Sequence, residues 1–271
     1  IAVQLNTFGQ LFVEVEVEDI VHRSPLLNDF PLHEWTHVGL YVQSQGSVGL
    51  FLDGKLAISV AVDAPLSTNG SASIGRGINL LRQSPVQLNG INGALARLSV
   101  YGVNSEQSQW PSALEEERRQ LAHTESALEV PSPRFVNDLH RPRFHPIPPA
   151  NWTNEPHGFV VSENRFHLFY QRTPNVPFKT QMHWGHLMSS DLVTWLTLPD
   201  ALYPTLTSGT DGFDMKGIWS GDVVVYGDMA YAYYTSVNHG SKDNPAISLA
   251  TSSDRDLREW HKQGPLFDRS G

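Results

Sequence analysis

Asn151-Trp152-Thr153-Asn154-Glu155-Pro156-His157-Gly158 is the stretch of this chain whose residue types could do chemistry. It sets one carboxylate among an aromatic ring, two amides and rigid turn residues, directly before the apolar run Phe159-Val160-Val161. An aromatic surface and amide groups suit a pocket that grips a sugar, and the acid suits an attack on it. Glycoside hydrolysis needs a carboxylate held in this way, because positive charge grows on the anomeric carbon in the transition state. A Pro-Gly turn with an incidental Glu is the competing reading of the octet alone.

The context of the octet decides between the two. Arg165-Phe166-His167-Leu168-Phe169-Tyr170-Gln171 reads as an aromatic strand ending in an amide, and Gln181-Met182-His183-Trp184-Gly185-His186 follows. Then come Ser189-Ser190-Asp191-Leu192-Val193-Thr194-Trp195 and Ala201-Leu202-Tyr203-Pro204, and Trp219-Ser220-Gly221-Asp222 opens another apolar strand. In this order and spacing, residues 141 to about 267 closely resemble the start of the catalytic domain of glycoside hydrolase family 32, whose members act on β-fructofuranosides. The shared features are a Trp-x-Asn-Asp-Pro-Asn-Gly turn, a Phe-Tyr-Gln strand end, a Trp-Gly strand and a Phe/Trp-Ser-Gly turn.

The resemblance implies roles for named residues. Glu155 falls at the position of the family's nucleophilic Asp. Asn154, Gln171, Trp184 and Ser220 fall on positions that bind the fructosyl ring, and Trp152 on the pocket wall. Trp219 and Asp222 flank Ser220 and are further candidates for substrate contact, with turn capping the competing role for Asp222. Two residues depart from the family's pattern: Glu155 replaces Asp, and His157 replaces the Asn before the Gly. Glu is one methylene longer, and misplacing a reacting group by about 1 Å can cost on the order of a hundredfold in rate. The family also uses a general acid/base Glu and an Arg-Asp-Pro motif, both expected beyond Gly271.

Arg255-Asp256 resembles part of that motif, but an internal repeat assigns it elsewhere. Phe169 and Tyr233 are 64 positions apart, Ser189 and Ser252 are 63, and Trp195 and Trp260 are 65. The repeat places Arg255 in the loop equivalent to Leu192-Val193, an exposed turn. Two four-stranded units of this length read as propeller blades. Two blades cannot close a ring, and the resemblance implies five, so the chain reads as a fragment.

The residues before the octet read as elements that support or precede it. Val13, Val15 and Val17 alternate with Glu14, Glu16 and Glu18, a strand with one buried face. Residues 35–42 and 48–52 are further strands. Asp53-Gly54 is a hairpin turn returning through 55–60, and residues 72–75 and 93–101 complete the set. This pattern resembles a laminin G-like, concanavalin A-like jelly roll over residues 1–104, able to serve as spacer or as carbohydrate binder. Residues 105–140 read as a helix over 105–122 and a Pro-rich connector. Residues 141–271 are the partial propeller. The expected class is all-β: a jelly-roll sandwich followed by the first blades of a five-bladed β-propeller.

Composition bounds the rest. The net charge of −9 over 271 residues argues against a nucleic-acid surface. No apolar run reaches the length of a membrane span. With no cysteine there is no thiol chemistry, and extracellular or periplasmic life stays open. His183 and His186 lie on opposite faces of a strand, so no metal site is expected. No cofactor is implied. The reading is a retaining β-fructofuranosidase-type hydrolase acting on sucrose or a fructan. A non-catalytic carbohydrate-binding protein, a fructosyl transferase and a glycosidase on the related family 43 or 68 propellers are the alternatives.

Overall fold

A computed structural model describes residues 1–5, 10–28, 30–31, 36–66, 95, 98–100, 130, 132–174, 176–205, 212–238 and 244–267. The expected helix over 105–122 and the strands over 72–75 and most of 93–101 lie outside the described residues. What is described is all-β apart from a single 3-10 turn at Ser132–Phe135. Among the described residues no helix is long and apolar enough to cross a membrane. The chain divides into two compact units, one dominated by residues 1–72 and the other by 126–205 and 209–271.

The first unit holds two three-stranded antiparallel sheets. One is β1 (Ala2–Leu5), β2 (Leu11–Val17) and β3 (Ile20–Arg23); the other is β4 (Val38–Gln43), β5 (Ser47–Leu52) and β6 (Lys55–Ala61). The valine alternation of β2 does what its period demands. Val13 and Val15 are fully buried in a cluster with Leu11, Val48, Leu50, Ile58, Val60 and Val62, which the two sheets share. Glu14, on the opposite face, is ion-paired with Arg23 of β3. Asp53 and Gly54 both take positive φ, as the hairpin requires, and Asp53 Oδ1 accepts the backbone N–H of His37 at 3.2 Å.

The second unit carries two four-stranded antiparallel meanders, each with the form of a propeller blade. The first is β7 (Trp152–Ser162), β8 (Arg165–Thr173), β9 (His183–Ser189) and β10 (Leu196–Leu202); the second is β11 (Gly217–Tyr226), β12 (Met229–Val237), β13 (Ala246–Ser252) and β14 (His261–Phe267). The bounds repeat with the offsets seen in the sequence: β8 and β12 differ by 64 at both ends, β9 and β13 by 63, β10 and β14 by 65. The loops repeat as well. Ser189 Oγ accepts the N–H of Asp191, whose carboxylate accepts those of Val193 and Thr194. Ser252 and Asp254 repeat the arrangement toward Asp256, Arg258 and Glu259. Arg255 lies in that loop, 67% exposed and paired with Glu163, as the repeat placed it.

One apolar core joins the two meanders, built from Phe169, Trp184, Ala201, Leu202, Ile218, Val223, Ala232, Tyr234, Ala250 and Leu257. The Pro-rich connector is less extended than its composition implied. Arg141 stacks over the Phe135 ring at 3.9 Å and donates to the carbonyls of Ile147 and Pro148. Val130 bridges to Thr197 of β10, tying the connector to the sheet edge.

Candidate active site

The octet that reads as a turn is strand in the structure. β7 runs straight through it from Trp152 and takes up the misfit in two β-bulges. Thr153 pairs with Arg172 and Pro156 with Tyr170, so three steps on β7 meet two on β8. The same happens between His157–Phe169 and Val160–His167, where Gly158 takes a φ of 53°. A third bulge lies on β11, between the pairs Ile218–Ser236 and Gly221–Tyr234. Regular strands send neighbouring side chains to opposite faces, and a bulge relaxes that alternation. The bulges hold Asn154, Glu155, Trp219 and Ser220.

The consequence is a chain of hydrogen bonds. Asn154 Nδ2 donates to Gln171 Oε1 at 3.1 Å, and Gln171 Nε2 donates to Glu155 Oε1 at 3.2 Å. Asn154 and Glu155 are neighbours in sequence, yet both reach the same amide. Ser220, from the second meander, donates its hydroxyl to the same Glu155 Oε1 and lies 3.5 Å from Gln171 Nε2. Glu155 Oε2 has no hydrogen-bond partner among the described residues, and Glu155 is exposed. One carboxylate oxygen is therefore held and the other is open.

Trp184 forms the floor. It sits opposite Gln171 on β9, is fully buried, and donates its indole N–H to the carbonyl of Trp219 at 2.8 Å. Glycines make this packing possible. A Cβ at Gly221 would lie 2.9 Å from Trp184 Cζ2 and 2.0 Å from the Tyr233 carbonyl oxygen. A Cβ at Gly185 would lie 2.4 Å from the Tyr170 ring. The Gly after Trp184 and the Gly after Ser220 are thus required by contact distance. Trp219 carries the ammonium of Lys179 over its ring, 4.8 Å from the centroid.

The remaining expected site residues lie less centrally. Asp222 is exposed on β11 and its Oδ1 accepts its neighbour Val223's N–H at 2.9 Å. Trp152 is half-buried at the start of β7, paired with Thr173, and makes no hydrogen bond to the Glu155 chain. Asp214, a further acid near the Trp219–Asp222 segment, is fully buried and engaged. It accepts from Lys262 Nζ at 2.6 Å, the Thr205 N–H at 2.8 Å and the Tyr234 hydroxyl at 3.3 Å. Burial lowers the Lys262 ammonium and Asp214 raises it, so the pair is a structural clasp. The paired histidines also separate by face: His183 bonds Asp200 at 2.9 Å, and His186 bonds His167 at 2.9 Å. Among the described residues no group of three or more His, Cys, Asp or Glu could hold a metal.

His157 is the residue whose place the sequence did not disclose. The residue is only 9% exposed, its ring lies 4.8 Å from that of Trp184, and its Nε2 is enclosed without a hydrogen-bond partner among the described residues. Burial lowers its pKa below 6.5, while Glu155 and Asp222 pull it back up. Its signal in the sequence was the imidazole two residues after the acid.

Residues 145–270 match the family described as "Glycosyl hydrolases family 32 N-terminal domain". This part of the chain is thus similar to the N-terminal domain of family 32 glycoside hydrolases. It is 37% identical over 137 residues to an insoluble β-fructofuranosidase isoenzyme of Arabidopsis thaliana, covering 50% of this chain and 22% of that protein. It is 38% identical over 129 residues to a levanase of Bacillus subtilis, covering 47% of this chain and 16% of that protein. Among solved structures, fructan 1-exohydrolase IIa of Cichorium intybus is 36% identical with a TM-score of 0.40, over 46% of this chain and 23% of that one. The chain thus spans about a quarter or less of these relatives' length.

Proposed function

We propose that the protein to which this chain belongs is a retaining glycosidase acting on β-fructofuranosides, sucrose or a fructan. The observation that carries the reading is the two-sided treatment of Glu155, an exposed residue: Oε1 is fixed by Ser220 and Gln171, and Oε2 accepts no hydrogen bond among the described residues. A nucleophile has this requirement, since it must be held still and yet have a lone pair free to attack. Glu155 attacks the anomeric carbon as the glycosidic C–O bond breaks and a second carboxylic acid protonates the leaving oxygen; water, deprotonated by that now ionised carboxylate, then displaces Glu155 and frees the fructose. Asn154, Gln171 and Ser220 hold the ring's hydroxyls. Trp184, expected to touch the ring, instead backs them from the core, fully buried and with its indole N–H donated to the Trp219 carbonyl. Trp152, Trp219 and Asp222 line the approach. Similarity to the family's N-terminal domain, to a β-fructofuranosidase and to a levanase supports the substrate class. The place of action is extracellular or periplasmic, in keeping with an insoluble isoenzyme among the relatives.

The test is fructose release from sucrose, inulin and levan by the full-length protein. Turnover of at least one of them is expected, and its loss in Glu155→Gln with sugar binding retained. Binding without turnover in the unaltered protein would instead favour a carbohydrate-binding role.

A further inference from the structure

Glu155, Gln171 and Ser220 lie toward one end of the meanders. Trp152 at the start of β7 pairs with Thr173 at the end of β8, and Arg172 pairs with His183 at the start of β9. Met182 bridges to Gly217 at the start of β11. The segment 176–182 leads into β9 at this same end and is fastened there. The Thr180 N–H donates to Thr173 Oγ1 at 3.4 Å, Gln181 Nε2 to the Met215 carbonyl at 2.6 Å, and the Ile218 N–H to the Met182 carbonyl at 2.9 Å. Lys179 stands on this segment. It is exposed, its ammonium lies 4.8 Å from the centroid of the Trp219 ring, and among the described residues it makes no hydrogen bond and no ion pair. Trp219 directly precedes Ser220, whose hydroxyl meets Glu155. Gly217 lets the indole lie against the segment: a Cβ there would stand 3.2 Å from Trp219 Nε1 and 3.0 Å from the Met182 backbone nitrogen.

Accepting the glycosidase reading above, we infer that Lys179 is a specificity-determining residue: seated on Trp219, it recognises the leaving group of the fructoside as a polyhydroxylated sugar. The hydrogen-bonded chain of Asn154, Gln171, Glu155 and Ser220 accounts for the fructosyl ring and the attack on it. Lys179 takes part in no bond of that chain. It overhangs the same end of the strands from outside the chain, so it meets the part of the substrate beyond the fructosyl ring. In sucrose that part is the leaving sugar. An ammonium carries three N–H donors, and among the described residues none of them is used. The indole face steadies the cation at the tip of its flexible stem and leaves those donors free for hydroxyl oxygens. Hydrogen bonds from a charged donor are stronger than neutral ones. A leaving group without hydroxyls gains nothing from them.

The experiment compares kcat/KM for sucrose and for methyl β-fructofuranoside, which share the fructosyl ring and differ in the leaving group. It uses the full-length protein, Lys179→Met and Lys179→Arg. The ratio of sucrose to methyl fructoside is expected to fall about tenfold in Lys179→Met. It is expected to stay within about threefold in Lys179→Arg, which keeps a cation and its donors over the ring. A variant that folds poorly lowers both values together and leaves the ratio readable. An unchanged ratio in Lys179→Met would overturn the inference. So would a ratio that falls equally in both variants, because the effect would then belong to side-chain shape. If the unaltered protein cleaves neither fructoside, the functional reading fails by itself. The ratio of the two affinities, measured by calorimetry on the same three proteins, then decides whether Lys179 recognises the sugar beyond the fructosyl ring.

Discussion

Glu155, Gln171 and Ser220 form the smallest working unit of this site, and each constrains the others. Gln171 can donate to Glu155 because Asn154 occupies its carbonyl oxygen, which fixes the amide's orientation. Ser220 reaches the same carboxylate oxygen from the other meander. A hydrogen bond to a charged group is worth about 1.5–3 kcal/mol. In the full-length protein Ser220→Ala is therefore expected to lower kcat/KM by roughly 10- to 100-fold. Loss confined to thermal stability, with kcat/KM unchanged, would show that the serine only fastens two sheets. These residues were singled out in the sequence by its resemblance to family 32, which implied a nucleophile at Glu155 and ring-binding positions at Gln171 and Ser220. Their connectivity was not legible: nothing in Asn154-Glu155 tells that two consecutive side chains meet one amide.

At the scale of elements the reason is the β-bulge. A bulge is a mismatch between two strands, so no single strand's sequence records it. The octet's Pro and Gly read as a turn, whereas β8 pairs along its length and turns the irregularity into bulges. The repeat spacing was readable and the strands keep it, and the alternation of Val13 and Val15 predicted the buried face of β2. The buried pair His167–His186, fully enclosed behind Phe169, was not readable from spacing. It predicts how stability depends on pH. Burial holds both imidazoles below their usual value of 6.5, that of His186 well below. Between the folded and unfolded pKa values the unfolded chain binds more protons. Stability from this pair is thus complete above about pH 6.5 and is lost as pH falls through the window beneath it. Thermal unfolding followed from pH 7.5 to 5 should show Tm falling below about 6.5, and less steeply in His167→Leu/His186→Leu. Equal slopes in both proteins would remove the pair from the account.

At the scale of the whole molecule the two meanders are not equivalent, and the difference has a direction. Phe169 of β8 is fully buried, with Trp260 of the second meander set edge-on at 5.8 Å. Its counterpart 64 positions on, Tyr233 of β12, is 42% exposed, and nearby Val224 is 49% exposed. The face that the second meander covers on the first is thus open on the second, and a further sheet of the same kind would fill it. In a longer protein with such a sheet, Tyr233 is expected to be shielded. The 271-residue chain alone is expected to bind a hydrophobic dye, with binding reduced in Tyr233→Ser. Dye binding unaffected by Tyr233→Ser would place the exposed apolar surface elsewhere.

The central claim is that Glu155 becomes covalently bonded to the sugar. The full-length protein, mixed with sucrose or inulin and quenched in acid within the first turnovers, can be digested and its peptides weighed. The account predicts that the peptide containing Glu155 gains the mass of one anhydrohexose and that Glu155→Gln carries no label. A sugar bonded to a different carboxylate, with the Glu155 peptide unmodified during active turnover, would contradict it.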